Sequence, residues 1–145
     1  MAQLTIITSG RPATLSKTVR RGPDGSLVRE GGGLLIEGHA DVATVASLGD
    51  LATLLQELGP AQALTFGIPR RGNRKILSRA ALAARTSMEG ITTRTRDQFV
   101  WPNGAGILML DHDPDETSVS REDLVGMIRG AAPGIADAAM LWWPS

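Results

Sequence analysis

Two carboxylates, Asp111 and Asp113, follow directly on an apolar run in the stretch Gly104-Ala105-Gly106-Ile107-Leu108-Met109-Leu110-Asp111-His112-Asp113-Pro114-Asp115. A short apolar run after Asn103-Gly104 fits a strand buried on both faces. If that strand continues through the acids, Asp111 and Asp113 at spacing i, i+2 leave the same face. Carboxylates fixed side by side repel one another unless a cation lies between them, and oxygen-only donors suit Mg²⁺ or Mn²⁺. The plainer alternative is a solvated turn that closes the strand at Pro114. Asp-x-Asp is a weak motif by itself, so its surroundings have to decide.

The surroundings include an asymmetry of charge. Between positions 70 and 96 stand Arg70, Arg71, Arg74, Lys75, Arg79, Arg85, Arg94 and Arg96, with Glu89 as the acid among them. From Asp111 onward the balance reverses, with Asp111, Asp113, Asp115, Glu116, Glu122, Asp123 and Asp137 against Arg121 and Arg129. A basic segment leading into an acidic one would serve a protein that holds phosphates with the first and metal ions with the second. Two solvated faces give the same pattern. Arg70, Arg71, Arg74 and Lys75 fall in a loop rich in turn residues, Pro69 to Lys75. Arg94 and Arg96 flank Thr95, so an extended backbone would point both guanidiniums one way, toward a phosphate or the downstream acids.

Composition narrows the classes. The chain has 145 residues, of which 42% are hydrophobic, and a formal net charge of zero; mean hydropathy is −0.01. This describes one ordinary globular domain over residues 1–145, large enough for a core. No apolar run approaches the ~20 residues of a membrane span, and the N-terminus carries no signal-peptide pattern. Cysteine is absent and the histidines are His39 and His112, which excludes disulfides and thiolate sites, argues against a His-rich zinc site and fits the cytoplasm.

The elements that must position these groups alternate. Gln3 to Thr8 reads as a strand, and Ser16 to Arg21 with Ser26 to Glu30 reads as a hairpin around Gly22-Pro23-Asp24-Gly25. Gly31-Gly32-Gly33 reads as a flexible connector rather than a phosphate cradle, since no Lys-Ser/Thr follows it; Leu34 to Gly38 is a further strand. Ser47 to Leu58 is the clearest helix, capped by Ser47 with Asp50 three residues on. Its core stripe is Leu48, Leu51, Leu54, Leu55 and Leu58, and Gly59-Pro60 stops it. Ala63 to Ile68 is a short strand, Ser78 to Arg85 a helix, Ile91 to Arg96 extended and Phe99 to Trp101 packed. Ser120 caps a helix through Gly130 with Leu124, Met127 and Ile128 inward, and Ala138 to Trp143 is a last strand. The alternation predicts an α/β or α+β fold, a mixed β-sheet with flanking helices, with the carboxylates at the C-terminal end of a central strand.

The order of motifs resembles a known family. Thr93-Arg94-Thr95-Arg96-Asp97-Gln98-Phe99, then Trp101-Pro102-Asn103-Gly104, then Gly106 to Pro114, is similar to the N-terminal part of archaeo-eukaryotic-type primase-polymerases, above all those attached to plasmid and phage replication helicases. The likeness covers roughly residues 60 to 145. It implies that Asp111 and Asp113 are the catalytic, metal-binding pair, holding Mg²⁺ or Mn²⁺ for two-metal nucleotidyl transfer onto a 3′-hydroxyl. It implies DNA template and nucleoside triphosphates as partners, with a replicative helicase domain or protein nearby. A Ser-x-His that binds nucleotide phosphates and a third acid complete the family's site. Leu141-Trp142-Trp143-Pro144-Ser145 looks like the strand leading into that Ser-x-His, so the chain is expected to be the front of an incomplete catalytic core, inactive alone. Arg70, Arg71, Arg74, Lys75, Arg94 and Arg96 are the expected phosphate or nucleic-acid contacts, from charge and position.

Three rival readings stand beside it. Asp111, Asp113, Asp115 and Glu122 occupy positions 1, 3, 5 and 12 of a calcium loop, although Glu116 replaces the required Gly and Pro114 stiffens it. An Asp-nucleophile phosphotransferase also places Asp-x-Asp after an apolar strand, but Asp115 stands where Thr or Val is usual. The third is a non-catalytic module that binds nucleic acid or a replication partner and keeps only a degenerate metal site.

Overall fold

A computed structural model of the chain describes residues 1–72, 74–87, 89–104, 106–107 and 119–141. They belong to two compact units, Met1–Ile107 and Leu108–Pro144. The fold is mixed α+β, in agreement with the alternation in the sequence.

The first unit is organised on β1 (Ala2–Ser9), whose neighbours are β4 (Glu37–Val45) and β5 (Gln62–Phe66). Its β-branched run Thr5-Ile6-Ile7-Thr8 suits a pleated, half-covered surface. Leu4 and Ile7, with 0% and 1% of their surface exposed, enter two different clusters. Leu4 packs with Ala2, Val45 and Leu51, and Ile7 with Ala40 and Ile76. Fully burying a Leu or Ile contributes about 2 kcal/mol, so β1 anchors both clusters. Beyond β4 come β7 (Lys75–Leu77) and β8 (Ile91–Thr93), giving the order β5-β1-β4-β7-β8. All pairings are antiparallel except β7 with β8, which is parallel.

Helix α1 (Leu48–Glu57) lies against the Leu4 cluster through Leu51, with Leu48, Leu54 and Leu55 beside it. Its start is the expected one. Ser47 Oγ accepts from Asp50 N at 3.1 Å, and Asp50 Oδ2 accepts from Ser47 N at 3.0 Å, a reciprocal box whose loss costs about 1 kcal/mol. The predicted hairpin is present as β2 (Lys17–Arg21) and β3 (Leu27–Gly31). Its turn is held by Asp24 Oδ1, which accepts from Ser26 Oγ at 2.6 Å and Ser26 N at 3.0 Å, and these bonds lower the Asp24 pKa. A second short helix, α2 (Arg79–Ala83), is capped by Ser78.

Several expected elements differ. The strand anticipated over Leu34 to Gly38 is displaced to Glu37–Val45, and Leu34 is 86% exposed. The reason is register: Ala2↔Val45 through Ser9↔Gly38 pair along the whole of β1, so the sheet selects the longer, less apolar segment. Gly38 is required there, because a Cβ would collide with the Thr8 carbonyl oxygen. The extended stretch expected over Ile91 to Arg96 ends at Thr93. Ile107 lies outside any strand and packs against the Leu4 cluster, while 108–110 fall outside the described residues.

In the second unit, α3 (Arg121–Ala131) starts where expected, with Ser120 Oγ accepting from Asp123 N at 3.1 Å. Its anticipated inward side is only partly covered within the described residues: Leu124 and Ile128 are half-buried, and Met127 is 62% exposed. A 3₁₀ turn (Pro133–Ile135) follows, and 138–141 form no strand, contrary to expectation.

Candidate nucleic-acid interface

A single glycine redirects the chain at the end of β5. Gly67 has φ +85°, and a Cβ there would stand 3.0 Å from the Val100 carbonyl oxygen. L-residues rarely adopt this backbone, so glycine is demanded by conformation and by space. The Gly67 carbonyl is fixed by the buried Thr5 Oγ1, which donates to it at 2.8 Å. The redirected chain forms β6 (Ile68–Pro69), paired antiparallel with β9 (Phe99–Val100) as Ile68↔Val100 and Pro69↔Phe99. Proline is tolerated in so short a ribbon because few ladder donors are needed. Phe99 packs against the Ile7 cluster, and Trp101, one residue beyond β9, stacks on Phe66 with ring centroids 6.1 Å apart and planes inclined by 27°.

The same ribbon fixes the arginines. After Thr93 the chain turns: Thr95 N donates to Thr93 O at 2.8 Å, and Gln98 N and Phe99 N donate to Thr95 O at 3.0 and 3.2 Å. Arg70 staples this turn from across the ribbon, its backbone N–H donating to Gln98 O at 2.8 Å and its Nε to Asp97 O at 3.0 Å. Hydrogen bonds from the Thr95 and Gln98 side chains, then from its own backbone, hold the Asp97 carboxyl below its ordinary value, with a smaller contribution from the Arg70 charge.

These features enclose a cleft of ≈ 510 Å³, lined by Thr65, Phe66, Gly67, Arg70, Arg94, Thr95, Arg96, Phe99, Val100 and Trp101. Its volume is within the usual range for small-ligand sites. The lining contains three arginines and, among the described residues, no carboxylate, so its field favours anions. Both phenylalanines of the chain and one of its three tryptophans meet here, in a sequence with 3% aromatic residues. An arginine-and-aromatic lining can bind phosphate through the first and planar rings through the second.

Of the six basic residues singled out in the sequence, Arg70, Arg94 and Arg96 come together in this cleft. Arg94 and Arg96 reach it from a turn rather than from a strand. Arg71, Arg74 and Lys75 do not line it. Arg74 faces Asp41 instead, Nη1 to Oδ1 at 3.8 Å with both side chains exposed, an ion pair of small consequence. Lys75 belongs to β7, opposite His39 and Ile91, and Arg71 is exposed in the preceding turn. Asp111 and Asp113, together with Asp115, lie outside the described residues. Glu122, the last position of the calcium-loop spacing, sits in the first turn of α3 and takes a hydrogen bond from Arg121 Nη2 at 2.9 Å. Among the described residues there is no group of three or more His, Asp or Glu side chains placed to share a metal ion. The glycine triplet is not a phosphate cradle: Gly32 N and Gly33 N donate to Ser16 O and Thr14 O at 3.0 and 2.8 Å. Nor is it a loose connector, since those bonds tie it to the root of the hairpin.

Thr65, Phe66 and Gly67 are lining residues that sequence reasoning reads only as part of a strand, and Trp101 is expected there only to pack; of these, Phe66 and Trp101 are the aromatic ones. The available signal was their punctuation: Phe66 precedes Gly67 and Trp101 precedes Pro102, each an aromatic at the edge of a chain reversal. No protein family, curated protein or solved structure matches the chain in comparison. No helix among the described residues is long and apolar enough to cross a membrane.

Proposed function

We propose that this chain binds nucleic-acid or nucleotide phosphates in the arginine cleft and serves as the front part of a DNA primase or polymerase of plasmid or phage replication, working in the cytoplasm. The observation that carries the reading is the convergence of Arg70 with Arg94 and Arg96, from segments well separated in sequence, beside the Phe66–Trp101 pair. Arginine is the side chain best suited to bidentate phosphate contact, and such contacts position a strand without reading its sequence.

The catalytic half of the proposal rests on Asp111 and Asp113 and on the motif resemblance. Their donor chemistry, carboxylate oxygen alone, fits Mg²⁺ or Mn²⁺. When bound, such ions supply activation of an attacking hydroxyl and stabilisation of a leaving pyrophosphate. Within the described residues the protein's own part is to hold phosphates in an open cleft at which Arg70 is already braced against the 94–98 turn. DNA template and nucleoside triphosphates are the proposed partners, with a replicative helicase as the associated machine.

Because no carboxylate lines the cleft among the described residues, a second reading is a binding module without chemistry of its own. One pair of assays separates the two. A fluorescent oligonucleotide titrated with the protein at low salt is expected to bind, and failure to bind at any salt overturns both. In the parent protein carrying the remaining family motifs, Asp111→Asn and Asp113→Asn are expected to abolish nucleotide incorporation while leaving binding intact. Incorporation that survives either substitution overturns the catalytic assignment and leaves the binding module.

A further inference from the structure

We infer that Trp101, backed by Phe66, is a stacking platform for an unpaired nucleobase, and that it makes the cleft select ligands with an exposed base. The inference rests on the reading that the neighbouring arginines hold phosphates.

A tryptophan kept for packing is normally covered, yet Trp101 is 58% exposed although it stands at the end of a paired strand. One side of its ring system is engaged by Phe66 at 6.1 Å, with planes only 27° apart. That near-parallel arrangement leaves the open surface of the indole available to a further ring in the same stack. Phe66 is fixed by β5, and Val100, next to Trp101, is fixed by its pairing with Ile68. The platform is therefore ordered before any ligand arrives, so little side-chain entropy is lost on binding. Pro102 immediately after it further limits the backbone.

Arg94 and Arg96 line the same cleft as Trp101. A nucleotide presents a negative group and a flat ring a few bonds apart, and the cleft offers partners for both. A base inside a duplex has its faces covered by its neighbours, so this surface is open only to an unpaired or terminal base. Stacking on an aromatic side chain tolerates any base, because every base has a π-face. Discrimination should therefore be between paired and unpaired, not between sequences.

The test uses the full chain and three probes at one fixed low salt: a short oligothymidylate, the same oligomer built of abasic sugars, and a hairpin duplex of equal charge. Wild type is expected to prefer oligothymidylate over the abasic oligomer by about ten-fold or more, the usual scale for one stacked base. Trp101→Ala should lose that factor on oligothymidylate and nothing on the abasic oligomer, and Trp101→Phe should retain most of it. Arg94→Ala/Arg96→Ala should weaken all three probes. If Trp101→Ala leaves oligothymidylate binding unchanged, or weakens the base-bearing and abasic oligomers alike, the platform is overturned while the phosphate reading stands on the arginine result. Tighter binding of the duplex than of oligothymidylate overturns it as well. If wild type binds none of the probes, both readings fall. Trp101→Phe keeps the test decisive should the alanine variant fail to fold.

Discussion

Two groups of cations drawn from one basic segment meet different fates. Arg70, Arg94 and Arg96 share a cleft with three aromatic side chains, whereas Arg71, Arg74 and Lys75 are scattered over a turn, an irregular stretch and a strand. Charge is the same in each group; what differs is convergence on one cleft, at which Arg70 is braced. Arg70 is stapled to the 94–98 turn by two hydrogen bonds, so its position and that of the turn are set together. Arg74 has instead an exposed partner 3.8 Å away, which in water holds neither side chain firmly. A run of basic residues therefore says how much charge is present, while the hydrogen-bonded turn says where a phosphate would be gripped.

The comparison can be broken from several directions. The largest effect is expected from Arg94→Ala/Arg96→Ala, which should weaken oligonucleotide binding at low salt by tens-fold or more, since charged hydrogen bonds contribute about 1.5–3 kcal/mol each; an electrophoretic or anisotropy titration measures it. Next comes Gly67→Ala, which forces a side chain into a left-handed backbone 3.0 Å from Val100 O. It should cost about 1–3 kcal/mol in denaturant titration and loosen the Phe66–Trp101 stack, seen as altered near-UV circular dichroism. Arg70→Lys keeps the charge but loses the Nε donor to Asp97 O, so thermal stability should fall by about 1 kcal/mol with a smaller loss of affinity than for the Arg94/Arg96 pair. The smallest effect concerns pH. Asp97 has a lowered folded pKa, so its contribution is fully present above the ordinary value of 3.8 and is lost as pH falls through the lowered value. Asp97→Asn should remove that acid-side loss, read as a flatter dependence of melting temperature on pH below about 4.

Much of the scaffold was legible because single segments carry their own signals. The five leucines and the Ser47/Asp50 box specify α1 without reference to the rest of the chain, and Gly22-Pro23-Asp24-Gly25 specifies the hairpin turn. β4 was hidden because His39 and Asp41 interrupt its apolar positions; only pairing with β1 makes Glu37–Val45 a strand. The cleft was half legible. Its arginines stood out by charge, but their convergence depends on β6 and β9, two residues each, too short to leave a periodic trace. Ile91 to Arg96 reads as extended in the sequence, whereas hydrogen bonds to Thr93 O and Thr95 O curl the chain after Thr93. The stretch 138–141 begins with alanines, which have little preference for a strand, and it forms none. The metal-binding reading of Asp111 and Asp113 still rests on their spacing and neighbours in sequence.

The most direct test of the account removes equal charge from the two groups. Oligonucleotide affinity is measured against salt for wild type, for Arg70→Ala/Arg94→Ala/Arg96→Ala and for Arg71→Ala/Arg74→Ala/Lys75→Ala, with folding checked by circular dichroism. Each phosphate contact on a single strand contributes about 0.7 to the slope of log affinity against log salt. The account predicts that the cleft variant loses about 2 from that slope, together with most of its affinity, and that the second variant stays near wild type. Equal losses in the two variants, or a larger loss in the second, would contradict it.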